Sequence, residues 1–546
     1  MATAGVSAAL AIAVVGVTVF APVHAAIPSA PGGVADSAGL DGIPIRRVEV
    51  TARNVFDPLP HGVLRPIAGL ANHLHIRTRA STIRRDLLFA AGERWNEQRA
   101  RESLRLLRAR QIFVPVSLVR QRVNDSLEVR VETRDIWSTV LDFSLESGGG
   151  STSGEFGVAE RNLFGRGQSL AFSYREDPLR VTRSVSFSDP ALGGTRLRVS
   201  AFARDESNGS GHGLELAVPF WAEDARWTGG VRWERGTTLA RLYRDDIETA
   251  VFDRRDESTE LWGGLGESRG GVVSRLIARF RAQDRRFGPT RVVAPVVDEA
   301  FLGGEENERI RRLSIEASWW RPRFVERRGI EQLSGIEDVD LGTRVVFEAG
   351  VSPRGLGGSR DEGLVRMSAA SALSAAGGAF ALGRAEASWR PDPRARDAVL
   401  RLRLRAVVPA HERGAFVFAA LGVLGFDTPR DFQILLGGLD GLRAFPAQAL
   451  AGTRVWRFNA ERRWTMARDA FGIATLGAAV FYDAGHAWGA GSGDAGWHHD
   501  AGLGVRMALP GASPSQIVRV DLAWPIEPLD RGRRETVLSF GSSQAF

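Results

Sequence analysis

From Trp137 to the end, the chain repeats one pattern. Short runs alternate apolar and polar residues and are broken by Gly, Asp, Pro and Arg turns, with no helical period between them. Leu141, Phe143 and Leu145 alternate with Asp142, Ser144 and Glu146. Leu170, Phe172 and Tyr174 alternate with Ser173 and Arg175, and Leu400, Leu402 and Leu404 with Arg401, Arg403 and Arg405. Val518, Val520, Leu522 and Trp524 alternate with Arg519 and Asp521. One such strand suits a soluble sandwich or a membrane barrel equally well. In the barrel, leucines meet lipid and arginines line a wet lumen. Number separates the two cases: more than about fifteen runs follow one another, and closure into a barrel leaves no edge. The run lengths match the roughly 9 to 11 residues that a tilted strand needs to cross a bilayer. The fold expected is therefore mainly β: a transmembrane antiparallel β-barrel over 137–546. Roughly sixteen to twenty runs qualify. Those in Leu239 to Gly271 and Gly363 to Trp389 read in part as loop hairpins.

Composition agrees by exclusion. Mean hydropathy is −0.12 and 44% of the 546 residues are hydrophobic. These values exclude a bundle of membrane helices but not a barrel, whose faces average out. The length calls for more than one structural unit. Cysteine is absent, so disulfides, zinc knuckles and thiol nucleophiles are excluded. The net charge of +7 is carried on the basic side by arginine alone, spread along the whole chain. No basic block interleaves with stacking aromatics, so nucleic acid is not an expected partner.

Val6 to Phe20 is an unbroken small and apolar run, and Val23-His24-Ala25 places small residues at −3 and −1 of a cleavage site. Residues 1–25 read as a signal peptide without a basic n-region, the run being short for a membrane anchor. A Pro/Gly/Ala-rich linker, 26–44, follows. Residues 45–136 read as one small α+β domain. Its first strand is Ile45 to Thr51, followed by two helical stretches. The second stretch is capped by Asn96 and repeats Ala100, Leu104 and Leu107. The strands Phe113 to Gln121 and Leu127 to Glu132 close the domain around an Asn124-Asp125 turn.

Four motifs lie in order along the barrel half. They are Asn162-Leu163-Phe164-Gly165-Arg166-Gly167; Asp189-Pro190 followed by Gly193-Gly194; Gly437-Gly438-Leu439-Asp440-Gly441-Leu442-Arg443-Ala444-Phe445; and Phe481-Tyr482-Asp483-Ala484-Gly485. Phe546 closes the chain, with Phe540 and Leu538 on its face, as in an outer-membrane targeting signal. Ser542 and Gln544 stand where that signal has apolar residues. In this order the motifs resemble the BamA/TamA superfamily of outer-membrane assembly and two-partner secretion barrels. The domain of 45–136, with Gly92 to Trp95 between its helices, resembles that family's POTRA module. The resemblance implies sixteen strands and a long loop folded into the lumen. It also implies a latch in which Arg443 pairs with Asp483, with Glu461 facing the same cavity. A bidentate guanidinium–carboxylate pair fits such a role. The family's glycine after the arginine is Ala444 here, which would be strained if that position needs a positive φ.

Several patterns look catalytic without the context that catalysis needs. Gly266-Glu267-Ser268-Arg269-Gly270 matches a nucleophile elbow but lies between barrel-type runs, so a turn is expected. His498-His499-Asp500 follows a Gly/Ser-rich loop and reads as an exposed strand end. His73 and His75 have no carboxylate at ligand spacing. No enzyme activity, cofactor or metal is expected.

The resemblance implies a polypeptide-handling barrel in the bacterial outer membrane, with its small domain in the periplasm. The partners implied are outer-membrane lipid and lipopolysaccharide, and an unfolded polypeptide or periplasmic chaperone at the POTRA-like domain. Strand addition to that domain's sheet edge would supply backbone hydrogen bonds, and Pro115 removes one donor on one candidate edge. A single such domain implies an accessory or specialised member. The alternatives are a passive or anion-selective channel, favoured by inward arginines, a lipid transporter, and a structural surface antigen. The loop arginine, the F-x-D-x-G strand and the small domain distinguish the first reading from an ordinary porin.

Overall fold

The structure is a computed structural model. It describes residues 39–546 apart from 60–64, 149–150, 178–179, 245–246, 295–305, 328–336, 392–396, 411–413, 430, 439–440, 447, 471–473, 493–495, 509–516, 528–535 and 542–546. The expected signal peptide, most of the linker, Leu439, Asp440 and the terminal Phe546 lie outside the described residues.

Residues 45–135 form a three-stranded sheet with three helices. The elements run β1 (Ile45–Arg53), α1 (Arg65–Leu74), α2 (Ala80–Asp86), α3 (Glu97–Ala109), β2 (Phe113–Val123) and β3 (Ser126–Asp135). β3 is central, parallel to β1 and antiparallel to β2. Asn96 caps α3 by accepting the Arg99 N–H at 3.0 Å. Ala100 and Leu107 then bury against Ile45, Trp95, Val129 and Val131. Sequence periodicity suggested two helices. The extra one, α2, has seven residues and a single apolar side chain of any size, Ile83, so it shows no period. Pro115 lies on the edge strand β2, where the register skips from Phe113 to Val116.

Apart from two short two-stranded sheets, Phe324–Arg327 with Glu337–Asp340 and Ile434–Leu436 with Leu450–Gly452, the remaining strands close into a barrel. They are β4 (Thr139–Gly148), β5 (Ser151–Leu163), β6 (Gln168–Asp177), β7 (Arg180–Asp189), β8 (Arg198–Glu206), β9 (Gly209–Val218), β10 (Trp227–Arg244), β11 (Ile247–Arg269), β12 (Val272–Phe287), β13 (Glu308–Arg321), β14 (Thr343–Ser352), β15 (Glu362–Ser374), β16 (Phe380–Trp389), β17 (Ala398–Pro409), β18 (Gly414–Phe426), β19 (Arg454–Ala470), β20 (Ala474–Trp488), β21 (His498–Ala508), β22 (Ile517–Pro525) and β23 (Val537–Gly541). Among the described residues, twenty strands pair in sequence order, with β23 returning to β4 and a two-residue stub, Arg291–Val292, beside β11. The expectation of sixteen strands is thus corrected. Of the runs assigned in part to loop hairpins, Leu239 to Asp253 forms a hairpin beyond the wall, the end of β10 pairing with the start of β11 and, among the described residues, with no neighbouring wall strand, whereas Arg254 to Arg269 and Gly363 to Trp389 lie in the wall as the rest of β11 and as β15 with β16. Their faces alternate like those of the other strands, so sequence alone held nothing against wall positions.

The alternation places its two faces as the physics requires. Phe143, Leu170, Phe172, Leu276, Ile315, Leu404, Phe416, Phe458, Leu503 and Trp524 are exposed on the outside. An apolar surface that extensive needs lipid rather than water. Arg506, Arg519, Asp521, Glu461 and Asp483 are buried inside. The small domain sits against one mouth, here the proximal end. At the distal end β10 and β11, 18 and 23 residues long, outrun the ~9 to 11 residues that span a bilayer. There Leu242, Ala250 and Phe252 form a buried cluster with Phe287 and Ala490.

Candidate functional site: a loop held inside the barrel lumen

The chain between β18 and β19 folds back into the lumen. Leu436, Leu442, Ala444, Phe445, Ala449 and Leu450 bury there against Val455, Phe481 and Ala487 of the wall. Three glycines make the path possible. Gly437, Gly438 and Gly441 have φ of +141°, +57° and +101°. A Cβ on Gly437 would lie 2.0 Å from the Pro446 carbonyl oxygen, and one on Gly441 2.3 Å from Arg457 Cδ. Ala444 is not in the left-handed region, so the strain feared for alanine does not arise. Its N–H donates to Asp500 at 3.2 Å.

The loop delivers Arg443 to the centre of a charge network. Arg443 donates from Nε and Nη2 to the two oxygens of Asp483, at 2.7 and 3.0 Å. Its Nη1 reaches Glu461 and Asp521, each at 3.3 Å. Its guanidinium lies 3.3 Å from the centre of the Phe481 ring. Asn459 donates to Asp483 (2.8 Å) and to the Gly441 carbonyl (2.9 Å), tying carboxylate and loop together. Arg506 and Arg463 donate to Glu461 at 3.1 and 3.2 Å, Arg506 also pairs with Asp521, and Arg519 lies 3.3 Å from Asp521. All these side chains are almost wholly buried. Gly485 completes the socket: a Cβ there would come within 2.6 Å of Leu436 and 3.0 Å of Leu442.

The structure therefore brings Arg443, Asp483, Glu461, Gly437, Gly438, Leu442, Ala444, Phe445, Phe481 and Gly485 to one place. Leu538 and Phe540 are not part of it: they face outward on β23, the strand paired with that of Asp521. Sequence reasoning missed Asn459, Arg463, Asp500 and Arg506 as members. It read Arg519 and Asp521 as lumen-facing without joining them to Arg443. The distal part of the loop is held as well. Gln433 brackets the Tyr243 backbone with two 2.8 Å hydrogen bonds, and Asp431 accepts from Arg254 at 2.9 Å.

The Asn162 to Gly167 turn has a second role that sequence reasoning did not foresee: it is a seat for the small domain. The Gly165 carbonyl accepts from Arg79 N and Thr82 Oγ1, both at 2.9 Å. Asn162 donates to Thr78 Oγ1 at 2.8 Å, and Thr78 in turn donates to Asp135. His75 also meets Asp135, at 2.9 Å, so a carboxylate distant in sequence does face it. α3 supplies two more anchors. Arg105 pairs with Glu223 at 2.7 Å and lies over Phe324 at 4.2 Å. Arg108 forks onto Asp338 with two 2.7 Å bonds.

The catalytic-looking patterns resolve as wall. Gly266 to Arg269 end β11 and run into a Gly270-Gly271 turn with no helix behind it. His498 and Asp500 are buried on the lumen face, not at an exposed end, because loop residues Phe445 and Ala444 cover them. His499 points outward to Tyr482, so the three cannot share one ion. Among the described residues, no group of three or more His, Asp or Glu could hold a metal.

Residues 401–546 match the Omp85 superfamily domain. No curated protein matches the chain. Among solved structures, BamA from Haemophilus ducreyi lacking POTRA domains 1–3 is 12% identical, with 92% of this chain and 85% of that chain covered at a TM-score of 0.43. CdiB from Acinetobacter baumannii is 11% identical over 92% and 74%, at 0.45. CdiB from Escherichia coli is 11% identical over 91% and 76%, at 0.47.

Proposed function

We propose that the chain is an Omp85-type outer-membrane barrel, its residues 401–546 matching the Omp85 superfamily domain, and that it inserts polypeptides into, or moves them across, the outer membrane. The observation that carries this reading is the seam. Among the described residues, β23 meets β4 only at Leu538–Ser147, Ser539–Glu146 and Phe540–Leu145, whereas β10 and β11 pair from Trp227–Leu265 to Arg244–Ile247. Among the described residues, few ladder hydrogen bonds join β23 to β4. Opening it sideways would expose two strand edges on which an incoming strand can form.

The lumen loop supports the same reading. A steady pore for small anions would need the lumen free, and Arg443 instead holds the loop across it on Asp483 and Glu461. The pair acts as a positional latch. Desolvation offsets much of its attraction, while a lone buried charge left by its loss would be costly.

The small domain, in this reading a POTRA-like periplasmic module, would receive an unfolded polypeptide or a chaperone. Its β2 edge is interrupted at Pro115, and the start of its β1 edge is covered by Gly92 and Glu93. The open stretch of β1 from Arg47 to Arg53 is the better template. With this domain in the periplasm, the proximal end faces inward and the distal end outward.

Depletion followed by outer-membrane proteomics tests the proposal. Loss of one secreted protein would assign secretion, and loss of many barrels would assign assembly. An unchanged protein complement would refute polypeptide handling.

A further inference from the structure

β19 carries two arginines on its lipid-facing side. Arg454 pairs in register with Leu424 and Trp488, and Arg462 with Phe416 and Val480. Between them Trp456, Phe458 and Ala460 face outward, while Val455, Asn459 and Glu461 face in. Eight residues at about 3.3 Å each separate the two arginines by roughly 26 Å along the strand. With strands tilted by about 35–45°, that length spans roughly 20 Å of membrane height, most of the ~25 Å apolar band, so each guanidinium lies near one edge of the band.

Their surroundings differ. Arg462 is held between the Phe416 and Trp464 rings, 4.7 and 5.0 Å from their centres, and donates to the Arg463 carbonyl. Among the described residues, Arg454 donates its Nε to the Gly425 carbonyl at 3.1 Å and sits 4.9 Å from the Phe426 ring centre. Among the described residues it makes no ion pair. Beside it lies a depression of about 610 Å³ lined by Trp389, Ala398, Phe426, Asp427 and Arg454. Trp389 and Phe426 are exposed flanks on the lipid-facing surface.

We propose that this depression binds the phosphate-bearing headgroup of an outer-leaflet glycolipid, with Arg454 as its anion-binding residue. The inference rests on the distal end facing outward, as assigned above, and not on polypeptide handling. A guanidinium fork matches phosphate oxygens, and at the membrane interface the contact is less screened than in water. Trp389 and Phe426 offer apolar walls to sugar and acyl carbons, as interfacial aromatics do. Asp427 is the one unfavourable group: its carboxylate lines the same depression, and it opposes a phosphate. Inorganic phosphate shares the recognised chemistry, so it is an arm of the test.

The test uses the full-length protein in detergent and measures retention of bis-phosphorylated lipid A by native mass spectrometry. Arg454→Ala is expected to weaken retention by about fivefold to tenfold, in line with about 1 kcal/mol or slightly more for one interfacial arginine. Arg462→Ala is expected to leave retention unchanged. Dephosphorylated lipid is expected to bind wild type as weakly as lipid A binds Arg454→Ala. Asp427→Asn is expected to tighten retention and decides the matter should Arg454→Ala fail to fold. Equal losses in Arg454→Ala and Arg462→Ala, no tightening in Asp427→Asn, or displacement of the lipid by millimolar inorganic phosphate would overturn the proposal.

Discussion

Arg443, at the tip of a lumen loop, and Asp483, on the barrel wall forty residues later, form a two-bond guanidinium–carboxylate pair that is almost wholly buried. Its neighbours give the pair its meaning. Asn459 bonds both the carboxylate and the loop backbone, so wall and loop share one network. Removing one partner leaves the other charged and buried, a loss of about 3 to 5 kcal/mol. Arg443→Ala should therefore free the loop, making it susceptible to protease added from the distal side and producing intermittent single-channel conductance. A protected loop and a silent barrel in Arg443→Ala would remove the latch from the account.

The seat for the small domain should be equally sensitive. Gly165 has φ of +70°, and a Cβ on it would lie 2.5 Å from the Arg77 carbonyl oxygen. Left-handed backbone alone costs a side chain roughly 1 to 2 kcal/mol. Gly165→Ala should raise hydrogen exchange in α2 and in the Asn162 to Gly167 turn while the heat-modified mobility of the barrel stays unchanged. Wild-type exchange in α2 would contradict the assigned seat.

Docking should also depend on pH. Glu102 of α3 is buried against the turn between β9 and β10, where it accepts the Glu223 N–H at 2.7 Å. Burial, followed by the Glu223 and Asp224 carboxylates, outweighs that hydrogen bond and Arg105, and pushes its carboxyl from near 4.5 up to about 7. A raised value in the docked state means that docking favours the protonated form. Docking should then be strongest below about pH 4.5, weaken as pH rises through about 7, and level off above it. Protection of α3 in hydrogen exchange, corrected for intrinsic rate, measures this, and Glu102→Gln should flatten the profile. Weaker docking on acidification would reverse the sign and refute the assignment.

Gly485 tests the loop socket from the wall side. Its added Cβ would meet Leu436 and Leu442 at 2.6 and 3.0 Å. Gly485→Ala should displace the loop and destabilise the protein by about 1 to 3 kcal/mol, as overpacking does, with the same protease signature as Arg443→Ala. A protease pattern identical to wild type would show that the socket has room to spare.

How much of this the sequence held depends on the range of the interaction. Period-two alternation is local, so the lumen and lipid faces of Arg401 to Leu404 and Val518 to Trp524 were legible. Strand number was not, because loop hairpins and wall hairpins share that period, as β10, β11, β15 and β16 illustrate. Arg443, Asp483 and Glu461 were found through motif resemblance. Arg506 and Asp500 were missed because an inward charge on one strand carries no sign of which distant charge it meets. Asn162 to Gly167 was visible as a turn, but its partners Thr78, Arg79 and Thr82 lie some eighty residues upstream.

The most direct test of the central claim is a lock across the seam. The chain has no cysteine, so Leu145→Cys with Phe540→Cys, directly opposite each other on β4 and β23, would form its only disulfide. The account predicts that the oxidised barrel stays folded but fails to restore the outer-membrane proteins lost on depletion, and that reduction restores them. Full restoration by the oxidised, quantitatively cross-linked protein would contradict a seam that opens.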